Sequence, residues 1–533
     1  MLSSIRAENF KSFRDTTQID LAPLTFLAGV NSAGKSSIIQ ALLLLKQTLE
    51  SGPTLALNPG KGALLEQSLG ERFNEFIYGR PPIAEASLVI DVSFTYRLDE
   101  HAGLYEDLKA LLPAPPADLL EQTLNHHLSI TFSWGPSGRS GQSSIRVAEL
   151  QTDVPKFGDI RDVGGQSVIR VAELQTRLKL AQEALIGLSI RPVGEGDYQV
   201  EPLAGSIHSS LAGLNFGQLE TAGFSHFLPD PFHLNYTKPS DKQNSLDDII
   251  PTATPALYRS LFASARRDLS ENLYYLNSFR RPPERIYTAG QGSEEQLLPD
   301  GSNFASILWS LRKRKVTYVF SDGRQTETAL PEMTLELLNE VLHLPQKVMV
   351  QPVGDRNDVF EVLVETLGRF EREPGKPAES VQVPISAVGL GYNQILPVIV
   401  QGLLTPPGAI LVVEQPEIHL HPDVQARLVE FFIGLARSGR KVLIETHSSH
   451  MIDHLCLEIV KDRAYQLEEK TRIFFIHPPD AENASSRVEP VKIDSYGVIQ
   501  NYPANFLPDV VQTYEHIVSE GFRKRKSQSS QDH

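Results

Sequence analysis

Residues 29–36 read Gly29-Val30-Asn31-Ser32-Ala33-Gly34-Lys35-Ser36, a complete G-x-x-x-x-G-K-S run, with Ser37 directly after it. Each residue type in this spacing has a task. The glycines let the backbone turn tightly, so that its N–H groups and the N-terminus of the next helix cradle phosphate oxygens. The lysine reaches the β- and γ-phosphates, and the serine hydroxyl ligates Mg²⁺. Gly29, Asn31, Ser32, Ala33, Gly34, Lys35, Ser36 and Ser37 are therefore the candidate nucleotide contacts, with ATP and Mg²⁺ as the implied cofactors. A second pattern is Ile410-Leu411-Val412-Val413-Glu414-Gln415-Pro416-Glu417. Four apolar residues ending in an acid read as a buried strand that delivers a carboxylate to its C-terminal edge, beside a phosphate-bound metal. Glu414 is the expected Mg²⁺-side acid, paired with Ser36. Gln415 can orient a water but cannot take its proton, whereas Glu417 can act as a base.

Two further segments carry chemistry. Ile444-Glu445-Thr446-His447 ends another apolar run, and Val388-Gly389-Leu390-Gly391-Tyr392-Asn393-Gln394 precedes a long apolar stretch. In the latter, Gly389, Gly391 and a helix N-terminus suit the grip of a γ-phosphate. His447, His450 and His454 fall at helical spacing and raise a metal reading. No partner acid at zincin spacing accompanies them, which favours a phosphate-side role for His447. His419 and His421 fit a loop facing a partner subunit better than a metal site.

The elements that must position these residues are legible from periodicity. SIRAENFKSF and TTQIDL are strand-like, LTFLAGV is a short buried strand, and SSIIQALLLLKQTLE is a helix. From about 345 onward the order returns: a turn and helix (ISAVGLGYNQILPVIVQGLL), a strand (AILVVEQPE), a helix (PDVQARLVEFFIGLA) and a strand (KVLIETH). The expected division is 1–95 as the N-terminal part of a nucleotide-binding head and 96–270 as an α+β insertion for sensing or docking. Residues 271–475 form the C-terminal part of the head, and 476–533 a small terminal unit with a polar tail. Within the insertion, GQSSIRVAELQT at 141–152 recurs as GQSVIRVAELQT at 165–176. One duplication is too few for a solenoid. Heptads long enough for a coiled-coil arm are absent.

NFKSF, PLTFLAGVNSAGKSS, GLGYNQILPV, VVEQPEIHLHP and ETHSSH together resemble the bacterial AAA-type ATPases of the ABC/SMC-like class, close to the ATPase part of OLD-family nucleases. The terminal IDSYGVIQNYPANF resembles a small domain of unknown function attached to one branch of them. The resemblance covers roughly 1–95 and 275–520. It implies an α/β fold: an ABC-type P-loop ATPase head, a mixed sheet with helices, interrupted by the insertion. It gives His447 the place of a switch histidine and Gly389 and Gly391 that of a signature turn, which completes the site of a second subunit. A homodimer or higher oligomer sandwiching ATP follows. Gln415 stands where such heads commonly have a glutamate, which implies slow hydrolysis, or catalysis by Glu417. Arg280 or Arg285, in YYLNSFRRPPERIY, would reach phosphate or pair at the surface. Relatives act in antiphage defence or DNA maintenance, controlling a separate nuclease or toxin effector. Only about eighty residues follow His447, without the clustered acids of a Toprim nuclease, so this chain is not expected to be the nuclease. A transporter subunit is disfavoured by the degenerate signature.

Composition sets the remaining bounds. The 533 residues are 41% hydrophobic and 22% charged, a globular balance. Cys456 is the only cysteine, which excludes an intrachain disulfide framework and a cysteine-cluster zinc site. The net charge of −15 opposes general nucleic-acid binding, leaving local DNA contact to Arg312-Lys313-Arg314-Lys315 or Arg523-Lys524-Arg525-Lys526, which otherwise form solvated surface. There is no apolar run of about 18 residues and no secretory pattern at the N-terminus, so a cytoplasmic protein without a membrane partner is expected.

Overall fold

In the computed structural model of the chain the described residues are 1–50, 76–82, 86–112, 115–136, 167–180, 183–192, 198–202, 219–221, 224–225, 228–229, 234–236, 250–288, 296–344, 347–354, 359–367, 380–388, 390–462, 464–501 and 503. The first copy of the duplicated segment, the second basic run and Gly389 lie outside them. Residues 167–176 of the second copy lie on a strand, Ser167–Leu180.

A six-stranded sheet organises the head, in the order Leu273–Leu276, Ile410–Glu414, Lys441–Glu445, Leu24–Gly29, Thr471–His477, Arg487–Val491. The first five strands run parallel and the last antiparallel. Its inner strands are apolar at nearly every position because both faces are covered, as parallel sheets require. Leu24, Phe26, Leu411, Val413, Val442 and Ile444 face one core, while Leu27, Ile410, Val412 and Leu443 face the other. Strand alternation thus divides one run between two cores. Strands from the N-terminal and the C-terminal parts of the sequence are neighbours in this sheet.

The second core lies under a ten-stranded sheet that starts from Leu2–Phe10 and Ser87–Arg97 and continues through Thr123–Pro136 and Ser167–Leu180. Described strands of the 96–270 region therefore run on from the head's own antiparallel strands. The P-loop helix, Lys35–Glu50, is buried almost all round, including Lys46, Gln47 and Thr48, as its continuous apolar sequence demands. The Lys46 ammonium is held by the Ser270 carbonyl and by Glu50 at 2.8 Å. On the far side of the P-loop strand, Thr471–His477 crosses the expected 475/476 boundary, and Arg487–Val491 pairs with it. The described start of the terminal unit is thus part of the head's sheet.

The helix Pro422–Arg437 begins with proline in its first turn and Asp423 beside it, and ends with Arg437, each placed to suit the helix dipole. Its Gly434 has a packing reason. A Cβ there would lie 2.0 Å from the hydroxyl of Tyr318, which is 1% exposed and donates to the carbonyls of Glu430 and Phe431. Alanine gains about 1 kcal/mol of helix propensity over glycine, but overpacking a core costs about 1–3 kcal/mol or more. We expect Gly434→Ala to lower stability by about 2 kcal/mol in urea denaturation, and Tyr318→Phe not to restore it, because the ring carbon Cζ would still lie 2.1 Å from the added Cβ. An unchanged midpoint in the single variant would overturn this explanation of the glycine.

Candidate nucleotide-binding site

The P-loop strand ends at Gly29 and the P-loop helix starts at Lys35. Two glycines fix the turn between them. Gly29 has φ +147°, and a Cβ there would sit 2.5 Å from the Ile476 carbonyl oxygen. Gly34 has φ +110°, with Ser12 Oγ and the Phe13 ring within 2.8 Å of an added Cβ. Such left-handed, crowded positions exclude side chains. Asn31 and Ser32 are exposed at the tip, Ser32 at φ +60°, and Ala33 is buried beneath it.

The loop borders a cavity of about 590 Å³ lined by Asn31, Ser32, Gly34, Lys35, Ser36 and Ser37, with Lys11, Ser12, Gln40, Gln415, Glu445 and His447. Lys35 curls over its own loop, its ammonium donating to the carbonyls of Gly29 at 3.0 Å and Val30 at 2.8 Å. Burial lowers its pKa, and Glu445 and Glu417 oppose that shift. The Ser36 hydroxyl donates to Glu445 Oε1 at 2.9 Å. Burial pushes the Glu445 carboxyl up, against the Ser36 hydrogen bond and the Lys35 charge.

Glu414 and Glu445 end adjacent parallel strands and are register partners. The 441–445 strand lies between the Glu414 strand and the P-loop strand. Glu414 therefore sits one strand further from the P-loop than Glu445 does. Its Oε1 accepts from the Tyr275 hydroxyl at 3.1 Å, and it is not one of the cavity-lining residues. Gln415 does line the cavity, in a left-handed turn at φ +43°, with its N–H on the Glu445 carbonyl at 2.7 Å. Glu417 stands behind this turn: buried, with its carboxyl pushed up by burial, its Oε1 accepts the His447 backbone N–H at 2.7 Å. His447 itself lines the cavity. Partial desolvation, and then the Lys35 ammonium, hold its ring below the usual imidazole range.

Arg280 departs from both sequence expectations, since it lies neither on the cavity nor at the surface. It is 3% exposed, and its guanidinium donates to the Glu414 carbonyl at 2.9 Å, the Gln394 side-chain oxygen at 3.3 Å and the Gln415 carbonyl at 3.5 Å. Burial pulls its pKa down to about 10, opposed by Glu417 and Glu414. Arg285 is exposed. Gly391 lies near the start of the helix Leu390–Leu404, against the His419 carbonyl and Leu420, and does not line the cavity. The three histidines at helical spacing part company. His454 lies 2.9 Å from Glu430 and 3.7 Å from Glu458, whose charges Arg427 and Lys461 also meet. His450, His419 and His421 lie away from the cavity lining, and the 312–315 basic run is exposed.

Four cavity residues are absent from the sequence expectations: Lys11, Ser12, Gln40 and Glu445. Gln40 lies four residues after Ser36, on the same helix face. Glu445 ends KVLIE as Glu414 ends ILVVE, so the pattern that marked one marks the other.

A buried apolar strand feeding a G-x-x-x-x-G-K-S turn into a buried helix, with acid-ended parallel strands alongside, defines a mixed α/β P-loop ATPase head. Residues 1–92 and 309–452 are similar to the AAA ATPase domain family. No curated protein matches the chain significantly. Among solved structures it is similar to an SMC head bound to the C-winged helix domain of ScpA (TM-score 0.37, 10% identity, 93% of this chain and 98% of that one). It is also similar to the SMC head domain from Thermotoga maritima (0.33, 11%, 92% and 99%), and to an SMC head with an extended coiled coil bound to the C-terminal domain of ScpA, derived from Pyrococcus furiosus (0.38, 10%, 92% and 96%). All three TM-scores fall below 0.5, which leaves the class resting on the family match and the site. No helix among the described residues is long and apolar enough to cross a membrane.

Proposed function

We propose that this chain binds ATP with Mg²⁺ in the P-loop cavity and works as a slow, nucleotide-gated ATPase. The observation that carries this reading is the cavity itself. Lys35, Ser36 and the turn between two obligatory glycines border one space, which Glu445 also lines with one carboxylate oxygen buried and unpaired. Those groups fit a triphosphate and a divalent cation: N–H donors and an ammonium for the phosphates, hydroxyl and carboxylate oxygens for the ion. The ion, when bound, supplies charge neutralisation at the phosphates. Gln415 is the residue placed to orient water, and His447 faces the phosphate end. Glu417 is engaged in holding the His447 backbone. With an amide at the water and Glu417 set back from the cavity lining, turnover is slow.

Gly391 and its helix lie outside this cavity, which supports their serving the site of a second copy, with two ATP molecules between two chains. Dimer closure would then control a separate nuclease or toxin effector in antiphage defence or DNA maintenance, in the cytoplasm. The exposed Arg312–Lys315 run is the candidate for local DNA contact. The test measures molar mass with and without MgATP, alongside phosphate release. The expected results are a doubled mass with ATP, slow release by wild type and about tenfold slower release by Gln415→Ala, a loss in the range of one positioning contact. A protein that stays monomeric with MgATP overturns the dimer. One that dimerises yet releases no phosphate is an ATP-gated scaffold, with occupancy rather than turnover as its signal.

A further inference from the structure

The acid nearest the phosphate loop is not the one that the apolar-strand-plus-acid pattern at 410–417 singles out. We propose that Glu445, together with the Ser36 hydroxyl, is the protein's binding point for the divalent cation that accompanies the nucleotide, with Glu414 standing behind it; this assignment rests on the nucleotide reading of the cavity.

Three independent observations carry it. The first is strand order. Glu445 ends the strand directly beside the P-loop strand, in register with Leu27, whereas Glu414 ends the next strand out. Glu445 alone of the two lines the cavity. The second is distance. Ser36 Oγ and Glu445 Oε1 are 2.9 Å apart. Two neighbouring ligand oxygens around an octahedral Mg²⁺, each about 2.0–2.1 Å from the ion, lie about 2.9 Å apart. The hydroxyl proton now bridges the pair, and rotating it away leaves both lone pairs for one cation. The third is an unpaired oxygen. Glu445 is 2% exposed, yet its Oε2 has no hydrogen-bond partner. A buried carboxylate oxygen without a partner is costly unless a ligand completes it. Glu414, whose Oε1 accepts from Tyr275, does not line the cavity.

The deciding experiment uses the full chain and a fluorescent ATP analogue, titrated by anisotropy in EDTA and in Mg²⁺, with Mn²⁺ uptake followed by EPR of the free ion. A thermal melt of the apo chain reports the fold of each variant, and the metal gain is read as the ratio of each variant's own affinities in Mg²⁺ and in EDTA, since Glu445→Gln removes a charge from the cavity and shifts its EDTA affinity as well. We expect Glu445→Gln to lose most of the gain that the metal brings, about tenfold or more, and Mn²⁺ uptake with nucleotide should weaken in step. Glu414→Gln should lose less. Glu445→Asp keeps the charge but sets it back by one methylene, so it should show a partial gain, which covers the case in which the glutamine variant does not fold. Wild-type metal gain in Glu445→Gln, or a larger loss in Glu414→Gln, overturns the assignment. Wild type that binds the analogue in EDTA but gains nothing from metal also overturns it. Wild type that binds no nucleotide at all overturns the proposed function instead.

Discussion

Lys35→Met is expected to weaken ATP binding about 100-fold while leaving the unliganded fold at least as stable as wild type. The two halves of this result come from one geometry. Lys35 is 3% exposed, and its ammonium rests on the carbonyls of Gly29 and Val30 at the mouth of the loop. Burial has lowered its pKa, so keeping this cation folded and dry carries a cost. Methionine fills similar volume without that charge, so the apo protein gives up no net stability. The nucleotide loses more, because charge-assisted hydrogen bonds to phosphate contribute about 1.5–3 kcal/mol each. A net loss of about 3 kcal/mol corresponds to about 100-fold in affinity. Calorimetric titration with ATP and a thermal melt of the apo protein check the two halves separately. Unchanged affinity would remove Lys35 from the site, and a collapsed apo melt would mean that its loop contacts hold the fold.

The P-loop was legible in the sequence because its information is local. Gly29, Gly34, Lys35 and Ser36 lie within one short run, and the flanking apolar stretches announce strand and helix. Glu445 shows where local reading stops. KVLIE and ILVVE are equivalent as patterns, and only the order of strands, with Lys441–Glu445 in the middle, decides which acid lies at the Ser36 hydroxyl. Lys11 and Ser12 reach the cavity through a tight turn between Leu2–Phe10 and Phe13–Asp15, with Asn9 and Lys11 at positive φ. Nothing in NFKSF alone says that this turn packs on Gly34. The spacing that offers Glu417 as a base does not show that one of its oxygens accepts the His447 backbone N–H while the other is buried without a partner. The 96–270 region is expected from the sequence as an insertion, yet its described strands extend a sheet begun by Leu2–Phe10, a pairing across sequence distance that periodicity does not carry.

Arg280 is the clearest such case, and its removal is expected to cost about 3 kcal/mol or more of stability. Its sequence surroundings suggest a surface or phosphate arginine; it is instead a buried tie between two elements. Its guanidinium holds the carbonyls of Glu414 and Gln415 on one side and the Gln394 side chain, near the start of the Leu390–Leu404 helix, on the other. Arg280→Met leaves those three acceptors facing apolar surroundings, and each buried acceptor left unpaired costs about 1–3 kcal/mol. Arg280→Lys keeps the charge but replaces a planar fork by a single ammonium that cannot span both elements, so it should fall between wild type and methionine. Urea denaturation reads the stability, and an unchanged midpoint for Arg280→Met would show that the tie carries no weight. A second readout separates tie from filler. The same guanidinium sets the turn that presents Gln415 to the cavity and touches the helix that carries Gly391, so Arg280→Lys, if folded, should bind ATP at its own P-loop normally while dimerising more weakly in MgATP. Equal losses in both measurements would mean that Arg280 supports the whole head and does not couple its two ends.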